Sequence, residues 1–180
     1  MNIIKSASFL KISMLALILI ISLPVQAASS DAANKVKAAI VFKITRFIQW
    51  SEATAADKVL NLCVLGDASL YSQLKTTEGK TSKGYNIKVK EVSTAQQSTS
   101  DCELLYIGAS ASQSTGTINQ VLKTHPVLSV SDRTKFAKEG GMIQIKERGG
   151  RIRFTINLRS AKSAGLDVRS QLLGLANVIE

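Results

Sequence analysis

The sequence repeats one pattern three times, and this pattern limits what the chain can fold into. In each case a continuous apolar run ends at a Gly or Ser-Asp turn and leads into a helical stretch; the runs are 59–65, 104–107 and 127–130. Such a run is apolar on both sides, as expected for a strand buried between two helical layers. Parallel strands also need a helix-sized connection between them. The pattern therefore predicts a three-layer α/β sandwich with a mostly parallel sheet.

The last third of the chain predicts an antiparallel C-terminal hairpin on this sheet. Residues 142–146 and 152–156 alternate apolar and polar positions on either side of Arg148-Gly149-Gly150, a strong hairpin signal. The remaining segments are interpreted more briefly: an alternating, more exposed strand at 87–92, a polar loop at 96–100, a helix at 158–164 that Gly165 ends, and a helix at 170–179.

The first 27 residues have the pattern of a cleavable signal peptide. Lys5 and Lys11 precede the apolar run 12–23, and Val25-Gln26-Ala27 supplies a small-residue cleavage site. The run is shorter than the roughly 20 apolar residues of a membrane span, although an uncleaved anchor is the alternative. We expect a signal peptide at 1–27, a single domain at 28–180, and a periplasmic location.

Charge and composition exclude several classes of protein. The chain carries a net charge of +10, and the exported part keeps +8 because Lys5 and Lys11 lie in the signal peptide. The positive charges are scattered, and export makes nucleic acid an unsuitable partner. An acidic protein or a membrane surface remains as the partner of a basic exported domain. No P-loop, zinc motif, dinucleotide fingerprint or nucleophile elbow occurs, which predicts no enzyme, no cofactor and no metal.

The two cysteines, Cys63 and Cys102, are expected to form a disulfide in an oxidising compartment. Both lie on predicted strands that should be neighbours in the sheet. Two buried free thiols are the alternative.

The first helix, predicted from Asp31 to about Phe47, has two apolar faces. Phe42 lies nearly opposite to the main apolar stripe on a helical wheel, and this stripe contains Ala33, Val36, Ile40, Ile44, Phe47 and Ile48. Either another part of the chain covers Phe42, or Phe42 contacts a partner or a second copy in a homodimer.

The carboxyl ends of the predicted parallel strands form a rim at which ligands bind in open α/β sheets. Small and polar residues lie there and could hold a small molecule, or serve only as ordinary turn residues; they are Gly66, Asp67, Gly108, Ser110 and Asp132.

Six segments in order resemble the YfiR family over nearly the whole exported chain. They begin with AIVFKITRFIQW at 39–50 and continue with LCVLG, CELLYI and PVLSVSD, followed by the hairpin block and the C-terminal block; the later segments are 62–66, 102–107, 126–132, 140–158 and 164–173. The resemblance implies a periplasmic regulator without catalysis. It also implies a bridge between Cys63 and Cys102, whereas a second cysteine pair that some members carry near the hairpin is absent here.

The resemblance further implies the partners. The best-studied family type holds the periplasmic domain of an inner-membrane diguanylate cyclase inactive, and an outer-membrane lipoprotein can draw it away; cyclic di-GMP and biofilm formation depend on the outcome. Arg and aromatic residues are the usual interface anchors, which makes Phe42, Arg46, Trp50, Arg151 and Arg153 the candidate contact residues. Solvated arginines and a tryptophan that closes the core are the alternative. A small-ligand receptor that uses the rim is the competing function.

Overall fold

The main sheet has eight strands, and most of its pairings are parallel, as the sequence predicts. The structure is a computed structural model that describes residues 26–148 and 151–180; the predicted signal peptide therefore lies almost wholly outside the described residues. Residues 33–180 form one compact unit, which contains both sheets.

Helices and strands alternate through the first two thirds of this unit. The helices are α1 Gln26–Ile44, α2 Glu52–Asp57, α3 Ala68–Lys75, α4 Ala95–Asp101, α5 Thr115–Leu122, α6 Leu158–Ser163 and α7 Ser170–Leu173, and a 3-10 turn at Thr45–Phe47 extends α1. The strands are β1 Ile48–Gln49, β2 Val59–Leu65, β3 Thr81–Ser82, β4 Tyr85–Val92, β5 Leu104–Ile107, β6 Leu128–Ser131, β7 Ile143–Arg148, β8 Arg151–Asn157, β9 Asp167–Val168 and β10 Ala176–Ile179.

The strand order in the main sheet is β10-β8-β7-β6-β5-β2-β4-β3, and β1 pairs with β9 in a separate two-stranded ladder. Neighbours from β7 to β4 are parallel, whereas β7 and β8 form the antiparallel hairpin that the sequence predicts. The three-layer α/β sandwich is confirmed.

Each central strand is buried on both sides because helices cover both faces of the sheet. On the first face Leu62, Val64 and Tyr106 pack against α1 and α3 in the larger core. On the second face Leu65 and Leu105 pack against α4 and α5 in a smaller core. These two faces are called the first face and the second face below.

Two segments differ from the sequence-based prediction. Residues 96–100 are not a loop: α4 begins at a capping box in which Thr94 and Gln97 bond each other's backbone N–H groups. Residues 170–179 are not one helix, because α7 ends at Leu173 and β10 then pairs in parallel with β8. The backbone groups of residues 176–179 pair with β8. The spacing of apolar residues within 170–179 gives no sign of this pairing, because β8 lies elsewhere in the sequence.

The stripe predicted for the first helix is confirmed toward its C-terminal end and is wrong at Val36. Ile44 and Ile48 are buried, and Ile40 and Phe47 are partly buried against the larger core, whereas Val36 is 51% exposed. Ala38 and Val41 are buried as well, so the buried side of the described helix includes positions beside the predicted stripe.

Candidate functional site

The predicted rim is tightly packed where β2 and β5 end. Gly66 has a φ of +68°, which glycine adopts without steric cost. A Cβ on Gly108 would overlap the Gly66 carbonyl oxygen, and a Cβ on Gly66 would overlap the backbone of Ala111. Both glycines are thus required by close backbone approach within the chain itself.

Arg133 closes this part of the rim from the side of β6. Its Nε donates to the Gly108 carbonyl at 3.1 Å, one terminal nitrogen donates to the Gln113 carbonyl at 2.8 Å, and the other donates to the Ala111 carbonyl. The planar guanidinium presents several donors in a fixed arrangement, which suits it to fixing such a loop. Sequence reasoning missed Arg133, because only the folded loop shows which carbonyls it meets.

The other rim residues also have structural contacts. The Asp67 carboxylate accepts a hydrogen bond from the Leu70 N–H at 2.9 Å and caps α3. The Ser110 hydroxyl donates to the Gly66 carbonyl. These contacts are typical of turn and cap residues. They agree with the alternative interpretation, in which the rim residues serve the turns and do not hold a ligand.

Asp132 connects the rim to α1. Its Oδ2 lies 2.7 Å from the Lys37 Nζ, and both side chains are about a quarter exposed. Its Oδ1 and the hydroxyl of Tyr106 are buried and have no hydrogen-bond partner within the described part of the chain. Burial, followed by the nearby carboxylates of Asp132 and Asp67, raises the pKa of Tyr106 far above its ordinary value of 10.0. Tyr106 is thus a neutral group beside a carboxylate.

One cavity remains open at the rim, beside the ends of β2 and β4. It measures about 400 Å³, and Gly66 and Ser110 from the predicted set lie in its wall. The other residues around it are Leu65, Glu91, Val92, Ser93, Ala111 and Ser112. The structure therefore brings two of the five predicted rim residues to one cavity and leaves Asp67, Gly108 and Asp132 outside its wall.

A second cavity lies between α1 and the turn after α3, and Phe42 contributes to its wall. It measures about 420 Å³; its other lining residues are Lys35, Ala38, Ala39, Lys43, Gln73, Thr76, Thr77 and Lys80. Phe42 is half-buried and packs against the larger core, whereas Lys43 and Lys80 are exposed. We call this the Phe42 cleft: an aromatic wall edged by lysines.

The remaining candidate residues near α1 have different surroundings. Arg46 is exposed in the 3-10 turn, one helical turn beyond Phe42. Trp50 is only 8% exposed, and its Nε1 donates to the Thr45 carbonyl at 3.2 Å. Trp50 therefore closes the core on the first face and offers little surface to a partner.

Arg151 and Arg153 lie on the other side of the sheet. They are exposed and alternate along β8 with Ile152 and Phe154, which pack against the larger core of the first face. Because successive side chains of a strand point to opposite faces, the two arginines belong to the second face. The candidate contact residues thus do not form one surface.

The disulfide lies inside the smaller core. Cys63 of β2 is bridged to Cys102, with their Cα atoms 5.9 Å apart, and both residues are buried. Cys102 ends α4 and precedes β5, so its placement on a strand is wrong, although β5 does pair with β2. Among the described residues, no three His, Cys, Asp or Glu side chains lie close enough to share a metal ion.

Comparison with known proteins gives a structural and a sequence match. The fold is similar to the crystal structure of a conserved domain protein from Vibrio cholerae O1 biovar El Tor, with a TM-score of 0.56 and 11% identity. The match covers 82% of this chain and 60% of that protein. At this identity the likeness concerns the fold alone.

The helices within 26–148 and 151–180 include none that is both long and apolar enough to cross a membrane.

Membership of a family rests on the sequence match. The model of the YfiR/HmsC-like family matches residues 34–177, which is most of the chain. The chain therefore belongs to the YfiR/HmsC-like family, a family of periplasmic, non-catalytic regulators of cyclic di-GMP signalling.

Proposed function

We propose that this protein binds the periplasmic domain of a membrane-bound diguanylate cyclase and holds the cyclase inactive, which lowers cyclic di-GMP and biofilm formation. The observation that carries this proposal is the family match across residues 34–177. A regulator of this kind acts by binding, so the question becomes which surface meets the cyclase.

The Phe42 cleft is the surface that we assign to the cyclase. Its wall contains a half-buried aromatic ring, and Lys43 and Lys80 at its edge are exposed. Aromatic residues are enriched in the buried centre of protein interfaces, and charges around the edge select the partner by complementarity. The occupant is an apolar side chain of the cyclase, flanked by acidic residues. Arg46, one helical turn further on, extends the same surface.

The experiments described below distinguish the cyclase from two other occupants of the Phe42 cleft. A second copy of this chain would carry the same basic edge, and like charges disfavour that pairing. An outer-membrane lipoprotein that releases the cyclase would act most directly by competing for the same cleft.

The first experiment identifies the partner from living cells. A photo-crosslinking amino acid replaces Arg46, and a matched variant carries it at Arg153 on the second face. We expect the variant at 46 to capture a membrane protein that contains a diguanylate cyclase domain. Capture of such a cyclase from position 153 alone would move the contact to the hairpin, and capture of a second copy at 46 would contradict the assignment of the cleft.

The second experiment measures affinity with purified parts. Lys43→Gln combined with Lys80→Gln should weaken binding of the cyclase's periplasmic domain about tenfold at low salt, since each edge charge contributes up to about 1 kcal/mol. The control, Arg151→Gln with Arg153→Gln, removes the same charge from the second face and should leave the affinity unchanged. Equal losses in both variants would contradict a cleft-specific contact.

The third experiment tests the function itself. Deleting the gene should raise cellular cyclic di-GMP, and restoring the exported protein should lower it. An unchanged level in the deletion strain, with the captured cyclase expressed, would contradict repression.

A small-ligand receptor is the second candidate function, and the rim cavity of about 400 Å³ favours it. Hydroxyls of serine and one carboxylate surround this space, a lining that suits a small polar molecule. Ser110→Trp should then abolish a ligand-induced rise in melting temperature while the cyclase still binds. If the variant retains that rise, the ligand does not bind there.

A further inference from the structure

The ladder of the C-terminal hairpin places basic residues directly opposite each other. Lys146 of β7 faces Arg153 of β8, and Arg148 faces Arg151 at the next outward position toward the turn. Side chains at directly opposed positions have Cβ atoms about 5 Å apart, and like charges there are destabilising. A sheet that needed only to fold would gain from an acidic residue at one of these positions.

For Lys146, Arg151 and Arg153, no ion pair within the described residues offsets this repulsion. All three side chains are exposed. The neighbouring outward position pairs Gln144 with Thr155. Glu147 stands opposite Ile152, so it belongs to the first face of the hairpin. We call residues 146, 151 and 153 the basic hairpin face.

We propose that the basic hairpin face binds the anionic phospholipid headgroups of a membrane surface. The face carries three exposed cationic side chains, and the residues beside them in the ladder, Gln144, Thr155 and Asn177, are polar. Protein interfaces centre on apolar and aromatic residues, and the basic hairpin face has none. A bilayer surface instead attracts clustered Lys and Arg through the summed field of its phosphate groups, without an apolar anchor.

The position of this face is compatible with the proposed regulation but does not depend on it. The basic hairpin face belongs to the second face of the sheet, whereas the Phe42 cleft lies beside α1 on the first face. A molecule attached to lipid through the hairpin keeps the cleft free for a membrane protein. Attachment would also confine the regulator to the surface in which its partner resides.

The test uses the exported protein and lipid vesicles, without any cyclase. The protein is sedimented with vesicles that contain phosphatidylglycerol and phosphatidylcholine, and with vesicles of phosphatidylcholine alone. We expect binding to the first at low salt, little binding to the second, and a steep loss as salt is raised. An equal amount bound to both vesicle types would overturn the proposal.

Two double variants locate the contact. Each basic residue near an anionic surface changes the partition coefficient about fivefold, so Arg151→Gln with Arg153→Gln should lower it about 25-fold. Lys43→Gln with Lys80→Gln has the same net charge and should lose much less. Equal losses would show that net charge alone drives binding and would overturn the assignment to the hairpin. Free inorganic phosphate at millimolar concentration should not displace the protein; full displacement would point to a small-anion site instead.

Discussion

The two faces of the main sheet are stabilised in different ways. The first face buries the larger core, under α1, α3 and the C-terminal elements, and relies on apolar packing. The second face buries a smaller core and contains the Cys63–Cys102 bridge; beyond α5 its outer strands present charge. Where the apolar core is smaller a covalent link contributes, and on the strands beyond it Lys146, Arg151 and Arg153 are exposed.

The largest expected effect on the first face comes from Trp50. Trp50→Ala should lower the free energy of unfolding by about 3–5 kcal/mol, because a large buried aromatic side chain is removed. Urea unfolding of the purified exported protein measures the change. If Trp50 were instead an exposed interface anchor, the free energy of unfolding would change by less than about 0.5 kcal/mol.

On the second face, replacing both cysteines by alanine tests the bridge. It spans a sequence separation of 39 residues, which corresponds to about 4 kcal/mol in the chain-entropy model. The urea midpoint should fall accordingly, and the reductant that lowers the midpoint of the wild type should leave the variant unaffected. A reductant-insensitive wild type would contradict a stabilising role.

Tyr106→Phe tests the apolar packing of the first face, because it removes a buried polar atom from the larger core. The hydroxyl has no partner of good hydrogen-bond geometry among the described residues, and the adjacent Asp132 carboxylate interacts with its proton, so its loss should change the free energy of unfolding by no more than about 1 kcal/mol at neutral pH. Urea unfolding at pH 7 measures the difference.

The same variant should change the dependence on alkaline pH. The folded state raises the pKa of Tyr106, so only the unfolded state loses this proton at about pH 10. The contribution of Tyr106 is fully present below about pH 10 and falls by about 1.4 kcal/mol for each pH unit above it. The Tyr106→Phe variant has no proton to lose at this position, so the difference in stability between the two proteins should grow as the pH rises above about 10. A difference that stays constant from about pH 9 to about pH 11 would contradict the burial of the hydroxyl.

The smallest expected effect concerns the basic hairpin face. Arg153→Gln relieves the opposition to Lys146 and should raise the free energy of unfolding by a few tenths of a kcal/mol. The gain should shrink as salt is added, since salt screens exposed charges. A loss of stability in low salt would mean that Arg153 has a favourable contact in the fold.

The sequence alone predicted the elements whose pattern is local. The strands Val59–Leu65 and Leu104–Ile107 are correct to the residue. The antiparallel pairing of β7 with β8 confirms the hairpin that was predicted from the alternating sequence around Gly149-Gly150. Periodicity and turn chemistry act over a few residues, so one sequence is enough to read them. A Cys63–Cys102 bridge was predicted from two cysteines in an oxidising compartment, with two free thiols as the alternative, and the structure contains the bridge.

Only the tertiary structure decided the rest, because it depends on residues far apart in sequence. Residues 176–179 form the strand β10 because they pair with β8, although their own sequence pattern is also compatible with a helix. Arg133 fixes the rim only because the loop after Gly108 brings three carbonyls to it. Phe42 and the pair Arg151 and Arg153 lie on opposite faces of the sheet. This is because α1 packs on the first face, whereas the two arginine side chains of β8 belong to the second face. Burial, hydrogen-bond partners and shared faces are properties of the packed chain, and no local pattern encodes them.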